Sequence, residues 1–420
     1  MSAPTIESEV RSYCRNWPVV FHQARGSRMF DRDGRAYLDF FAGASALNYG
    51  HNHPVLKRAL LDYLEQDGVT HSLDMFTSAK EAFLAEFAAR VLEPRRLDYR
   101  VQFPGPTGAN SVEAALKLAR KVTGRQNVVA FTGAFHGMSL GALATTGNAS
   151  KRAGAGVALG HVWRLPYDGF LGGEVSGLKL LDGMLADSSS GMEPPAAVIV
   201  ETVQGEGGVN PAGPAWLADL ADLCHRRGIL LIVDDVQMGC GRTGPFFSFE
   251  SAGITPDIVC LSKSISGYGL PMSLTLFRPE LDVWQPGEHN GTFRGHNPAF
   301  VTATAALREF WSDSTLEKQT GERALRLRET LGELADRHAA QVAQVRGRGL
   351  VWGLAFREPD TARRVADAAF ARGLLVETSG SCDEVVKLLP PLTATDGELA
   401  EGLDLLRDAT DAVAGSLAHA

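Results

Sequence analysis

Lys263 closes a short apolar run, Ile258-Val-Cys-Leu-Ser-Lys263, and stands just before a turn at Gly267. Asp234 closes an earlier apolar run, Ile229-Leu-Leu-Ile-Val233, and is followed by Asp235-Val-Gln237. A lysine and an acid at the ends of two strands suit the chemistry of pyridoxal phosphate. The amine forms a Schiff base with the cofactor aldehyde, and the carboxylate pairs with the protonated pyridine nitrogen. Asp234 and Asp235 are neighbours, so on a strand they point to opposite sides and only one can face the ring. Gln237 is then close enough to meet the phenolic oxygen.

The rest of such a site needs an anion cradle and a stacking face. Gly105-Pro-Thr107-Gly108-Ala109-Asn110 runs straight into a helical pattern, Glu113 to Lys121, and places backbone N–H groups at a helix N-terminus. Asn110 with Glu113 has capping-box spacing. Phe135, in Gly133-Ala-Phe-His-Gly137 after the run Val128–Thr132, is positioned to stack on a ring. Each of these features alone is equally a plain helix cap or a core phenylalanine. Gly239-Cys-Gly241-Arg-Thr-Gly244 has the letters of a dinucleotide-binding loop, but it does not directly follow a strand, and Pro245-Phe-Phe follows it instead of a helix. Those glycines are expected to shape a wall of the site. His51 and His53 have no acid or thiol pattern beside them and fit a turn before a helix, so no metal is expected.

These residues need rigid elements to hold them. Short apolar runs at Val128–Thr132, Ala196–Glu201, Ile229–Asp234 and Ile258–Leu261 alternate with helical patterns, as in a mostly parallel sheet buried on both faces. Helices are expected over Val55–Gln66, Ala215–Arg227 (with Gly228 as its C-terminal stop), Leu316–His338 and Asp396–Leu417. Phe30 to Phe40 reads as a hairpin around Asp33-Gly34. The expected fold is α/β. It has a large cofactor-binding domain over 61–304 and a small α+β domain built from both chain ends, 1–60 and 305–420.

Composition narrows the function. Of 420 residues, 45% are hydrophobic and 21% charged, and the net charge is −8. That argues against nucleic acid or an anionic membrane as the partner. No run reaches the length of a membrane span, and the first residues carry no apolar signal core. The five cysteines are widely spaced with no C-x-x-C, which points to neither a disulfide framework nor a zinc site and suggests a reducing, cytoplasmic setting.

Taken in order, these motifs resemble the class III (ω-amino acid) aminotransferases, pyridoxal phosphate enzymes of fold type I. The resemblance runs from Tyr37-Leu-Asp39 and Gly50-His-x-His-Pro54 through Glu201-x-Val-Gln-Gly-Glu-Gly-Gly208 and Thr292-Phe…Asn297-Pro298 to Lys387-x-x-Pro-Pro-Leu392. Stretches such as Gln102-Phe-Pro-Gly-Pro-Thr107 and Asp234-Asp-Val-Gln-Met-Gly-Cys-Gly-Arg-Thr-Gly-Pro245 are similar to the diaminobutyrate–2-oxoglutarate subfamily of ectoine synthesis.

The resemblance implies Lys263 and Asp234 as catalytic residues. It implies cofactor contacts at Thr107, Gly108, Ala109, Phe135, His136 and Gln237. Thr292 would reach the phosphate of a second subunit, so a homodimer with shared sites is implied, acting on amino acids and 2-oxo acids. Two positions depart from relatives. Lys387 stands where many carry a carboxylate-reading arginine, and Met138 stands where ornithine aminotransferases carry another. From these we expect a Glu201–Lys387 switch that lets one site accept both substrates, with Arg294 as a second carboxylate reader. The rivals are class III enzymes for ornithine, lysine, GABA or another diamine; a nicotinamide dehydrogenase would rest on the Gly239–Gly244 run alone.

Overall fold

The computed structural model describes residues 6–417; the few residues of the expected small domain at 1–5 and 418–420 lie outside that range. The centre is a seven-stranded sheet. Its strands are β1 (Arg100–Gln102), β2 (Val128–Phe131), β3 (Val162–Leu165), β4 (Ala197–Val200), β5 (Leu230–Asp234), β6 (Ile258–Leu261) and β7 (Leu274–Phe277). Their order is β1-β7-β6-β5-β4-β2-β3, and only β7 runs antiparallel to its neighbours. β2, β4 and β6 are buried along their whole length. This explains why they read as unbroken apolar runs rather than as alternations: helices cover both faces.

The helix α1 (Gly108–Thr123) packs Val112, Leu116 and Ala119 against this sheet and ends at Gly124 in the left-handed conformation. The helix α2 (Pro214–Arg227) ends the same way, with Gly228 at φ 59°. Its N-terminal proline needs no N–H partner there.

Outside the large sheet, the expected hairpin forms between Arg28–Asp31 and Ala36–Asp39. Asp31 Oδ1 accepts from the N–H groups of Asp33 and Arg35 and so fixes the turn. Leu374–Leu375, from the far end of the chain, adds in parallel to Ala36–Asp39. A second sheet orders Val342–Arg348, Val351–Phe356, Val385–Leu388 and Glu377–Ser379, all antiparallel. The helices Thr315–Arg337, Pro359–Arg372 and Asp396–Leu417 accompany these late strands. Among the described residues no helix is long and apolar enough to cross a membrane.

Arg242 ties these regions together. Its side chain is fully buried and donates to Leu350 O (2.9 Å), Pro390 O (2.6 Å) and Asn48 Oδ1 (2.6 Å). Burial pulls its guanidinium down to about 9, still above neutral pH. The Gly239–Gly244 run is therefore a structural corner around a buried arginine. His51 bonds Asp39 (2.7 Å) and His53 packs edge-on against Phe310, so both histidines serve the turn before the helix Pro54–Glu65.

Candidate active site

The carboxyl ends of β2, β4, β5 and β6 converge on a cavity of about 180 Å³. Lys263, one residue beyond the strand-end Leu261-Ser262 step, points into it from the first position of a short 3-10 turn. Its φ of 53° lies in the left-handed region, a conformation that a lysine adopts only when its surroundings impose it. Ser264 supplies part of that restraint: its hydroxyl donates to Ser45 O (2.7 Å) and accepts from Asn48 N–H (3.0 Å). Burial lowers the Lys263 amine below its ordinary value, with Glu206 partly opposing.

β5 delivers its two acids to opposite sides. Asp234 lines the cavity, where Oδ2 lies 2.7 Å from His136 Nδ1 and Oδ1 accepts from Val236 N–H (3.1 Å). Asp235 turns the other way and bonds the hydroxyl and N–H of Ser248; burial pushes it up to about 7. Burial works against a charged His136, but the hydrogen bond and charge of Asp234 outweigh it and raise the ring's pKa. Its Nε2 has no hydrogen-bond partner among the described residues.

Opposite Lys263, Gly108 and Ala109 bring the N-terminus of α1 to the cavity wall. Thr107 is the N-cap and does not line the cavity. The cap differs from expectation: Asn110 Oδ1 accepts from the N–H (3.1 Å) and hydroxyl (2.9 Å) of Thr107. Glu113 instead accepts from Ser139 and from Ala142 N–H. Phe135 and Gln237 complete the wall. Gln237 donates to Ala44 O (3.2 Å) and Glu206 (3.3 Å), which leaves its buried Oε1 unpartnered. A lowered amine, a buried acid, a helix N-terminus and two unpartnered polar atoms around one cavity fit a phosphorylated pyridine aldehyde.

Glu201 does not meet Lys387. Its Oε1 accepts from Phe135 N–H (2.9 Å) and its Oε2 faces Gly205 N–H (3.4 Å). Those amides clamp it in place, and burial pushes it up to about 7. The partner of Lys387 is Glu206, at 2.7 Å, with Glu377 Oε1 at 3.0 Å. Sequence reasoning passed over both acids. Glu206 sits between glycines in the very run that contains Glu201. Glu377 is a charge next to the apolar residues Leu374, Leu375 and Val376, a signal of a buried partner. Burial opposes the charge on Glu206, but Lys387 and Lys263 bring it down to about 2.

Glu206 and Phe135 also border a larger cleft of about 430 Å³, reached past Tyr13, Lys151, Arg363 and Glu377. Thr292 and Arg294 lie elsewhere. Thr292 is exposed, and Arg294 pairs with Asp74 in a separate cavity of about 480 Å³. Arg294 therefore does not read a carboxylate in the site of its own chain.

The chain resembles known proteins over nearly its whole length. A family model for class-III aminotransferases matches residues 11–410. The diaminobutyrate–2-oxoglutarate transaminase of Streptomyces avermitilis is 64% identical over 96% of this chain and 95% of its own. The enzyme of that name from Vibrio cholerae is 56% identical over 95% and 97%. An ornithine aminotransferase structure from Toxoplasma gondii superposes with a TM-score of 0.84 at 26% identity, covering 98% of this chain and 93% of that one. A transaminase from Virgibacillus shares the fold, with a TM-score of 0.86 at 19% identity. With a family match over residues 11–410 and relatives alike over nearly the whole length, this chain belongs to the class III aminotransferases, enzymes that depend on pyridoxal 5′-phosphate.

Proposed function

We propose that this enzyme moves the 4-amino group between L-2,4-diaminobutyrate and 2-oxoglutarate, with aspartate semialdehyde and glutamate as the other pair. We also propose that it serves ectoine synthesis, the route to which its subfamily resemblance points. The observation that carries the substrate reading is the Glu206–Lys387 ion pair beside Lys263. The reacting carbon of glutamate bears a carboxylate, whereas C4 of diaminobutyrate bears only hydrogen. One site must therefore offer a cation in one half of the reaction and hide it in the other. Glu206 covers Lys387 while the diamine reacts and moves aside for a substrate carboxylate. Gly205 and Gly207 flank it. The two relatives named for this reaction, at 64% and 56% identity, support the same reading.

When bound, the cofactor supplies an electron sink for the carbon that loses its proton. The remaining roles fall to this chain's residues. Lys263 would hold the cofactor by its aldehyde and would move the proton; burial favours the neutral amine that both roles need. Asp234 would hold the proton on the pyridine nitrogen, and His136 orients that carboxylate. Phe135 would stack on the ring, and Gln237 would lie beside it near the ring oxygen. Gly108 and Ala109 present N–H groups to the phosphate from the start of α1, capped by Thr107.

The active unit is read as a homodimer with shared sites. The exposure of Thr292 and Phe293, away from the cavity of their own chain, supports this reading. The chain is also read as two domains, 61–304 and a small one from both ends, supported by the sheet that joins Ala36–Asp39 to Leu374–Leu375. A cytoplasmic setting is supported by five unpaired thiols, Cys14 and Cys382 exposed and the other three buried.

The test is to mix the yellow holoenzyme with single amines and follow its bleaching. Diaminobutyrate and glutamate are expected to bleach it, and ornithine and GABA hardly. Equal or faster bleaching by ornithine or GABA would remove the diaminobutyrate assignment and leave the family intact.

A further inference from the structure

Lys387 has two acidic partners of different kinds. Glu206 sits in a glycine-flanked loop, but Glu377 sits on a strand directly opposite Lys387, in the antiparallel register Glu377↔Lys387. That pairing fixes the Glu377 backbone and puts its side chain on the same face as that of Lys387. Lys387 is fully buried and Glu377 is 3% exposed. Glu377 Oε1 lies 3.0 Å from Lys387 Nζ and Glu206 Oε1 lies 2.7 Å from it, so two carboxylates share one buried ammonium. Two carboxylates on one buried ammonium leave a net negative charge, which a proton on the acid that stays would remove.

The charges make that proton matter. With Glu206 displaced and Glu377 ionised, Lys387 is already neutralised, and an incoming carboxylate meets no net charge. With Glu377 protonated, the same carboxylate meets one free positive charge. The charged and titratable groups facing Glu377 are Lys387 on the neighbouring strand, Glu206 from the loop, Lys263 from the 3-10 turn and Tyr13 from the short helix Tyr13–Asn16. Lys151, Arg363 and Asp383 share the cleft it borders.

We propose that Glu377 is a specificity-determining positioning residue: it stays on Lys387 throughout and takes up a proton from solvent as a substrate carboxylate displaces Glu206. The acceptor half of the reaction is thereby coupled to protonation and the diamine half is not. Burial raises Glu377 to about 7; Lys387 opposes that rise and Glu206 adds to it, so the group is poised near neutrality. The inference rests on the reading that Lys387 receives a substrate carboxylate.

The test uses glutarate, an unreactive dicarboxylate, titrated into the pyridoxal-loaded enzyme by calorimetry at pH 8 in two buffers of different ionisation enthalpy. Wild type is expected to take up close to one proton per glutarate, with the visible band of the cofactor unchanged. Glu377→Gln mimics the protonated acid, so it should take up none. It should also bind glutarate about tenfold more tightly than wild type at pH 8, because affinity falls up to tenfold per pH unit above the group's own pKa. A merely structural Glu377 would give weaker binding with an unchanged pH slope. Absent proton uptake in wild type, or uptake that persists in Glu377→Gln, overturns the proposal; the wild-type proton count decides alone if the variant does not fold. Lys387→Met separates the two ideas. Undiminished glutarate binding there sinks the carboxylate reading and this inference together. Lost binding there, with no proton taken up by wild type, sinks the inference alone.

Discussion

His136 Nδ1 and Asp234 Oδ2 lie 2.7 Å apart with both side chains buried, and Val236 N–H holds the other oxygen of the same carboxylate. This carboxylate, which lines the cavity, is therefore fixed in direction by the protein itself. It carries its charge at a place where water cannot screen it.

Asp234→Asn keeps the shape of this arrangement and removes the charge. The turnover rate is expected to fall about 10²–10³-fold, the usual effect of deleting one preorganised electrostatic contact. Because Asp234 is what raises His136, the ring's pKa should drop in the same variant, and ring-proton NMR would show it. An unchanged histidine titration would mean that the two side chains are not coupled as described.

Gly205 has no room for a side chain. A Cβ there would stand 1.7 Å from Gln237 Oε1 and 2.9 Å from the Met238 methyl carbon. Both obstacles are flexible ends, so Gly205→Ala should fold and push Gln237 out of its position beside the cavity. Cofactor affinity is expected to weaken about tenfold, equivalent to ~1.4 kcal/mol, the size of one lost polar contact. Fluorescence titration of the apoenzyme against a thermal melt would separate this from general destabilisation.

Glu201 makes a pH-dependent contribution whose sign can be worked out. Its folded pKa, raised to about 7 by burial, lies above the ordinary value of 4.5. The folded state thus holds a proton that the unfolded state has lost between those values. Stability from this group is full below about pH 4.5 and declines as pH rises through 7, by ~3 kcal/mol at most. Glu201→Gln should flatten that decline in urea midpoints measured from pH 5 to 8. An equally steep decline in the variant would assign it to another group, of which Asp235 is the first candidate, also raised to about 7.

The sequence was readable where local pattern and chemistry coincide. Val128–Phe131 and Ile258–Leu261 are apolar throughout because sheet and helices bury both faces, and an apolar run that ends in a lone Asp or Lys marks a strand end. The site at Lys263 and Asp234 followed from that. The reader of the substrate carboxylate was less legible. Glu206 and Lys387 are 181 residues apart, and their pairing depends on how the second sheet is laid over the large one. Nothing local distinguishes Glu201 from Glu206 as the partner. What decides it is the backbone turn that offers Glu201 two amides. The cap of α1 was misplaced by three residues because both Thr107 and Asn110 are good cap residues. Only the backbone path shows that the helix begins at Gly108.

The paired acids of β5 also bear on how the register of that strand is set. Leu231, Ile232 and Val233 are buried on both faces, so apolar contact alone is nearly indifferent to which of them faces which side. A slip of one residue would keep most of the buried area and would turn Asp235 into the cavity in place of Asp234. The slipped chain would lose both His136 at one acid and Ser248 at the other. Two adjacent carboxylates with unlike partners thus add a preference for one register that the apolar residues alone do not supply.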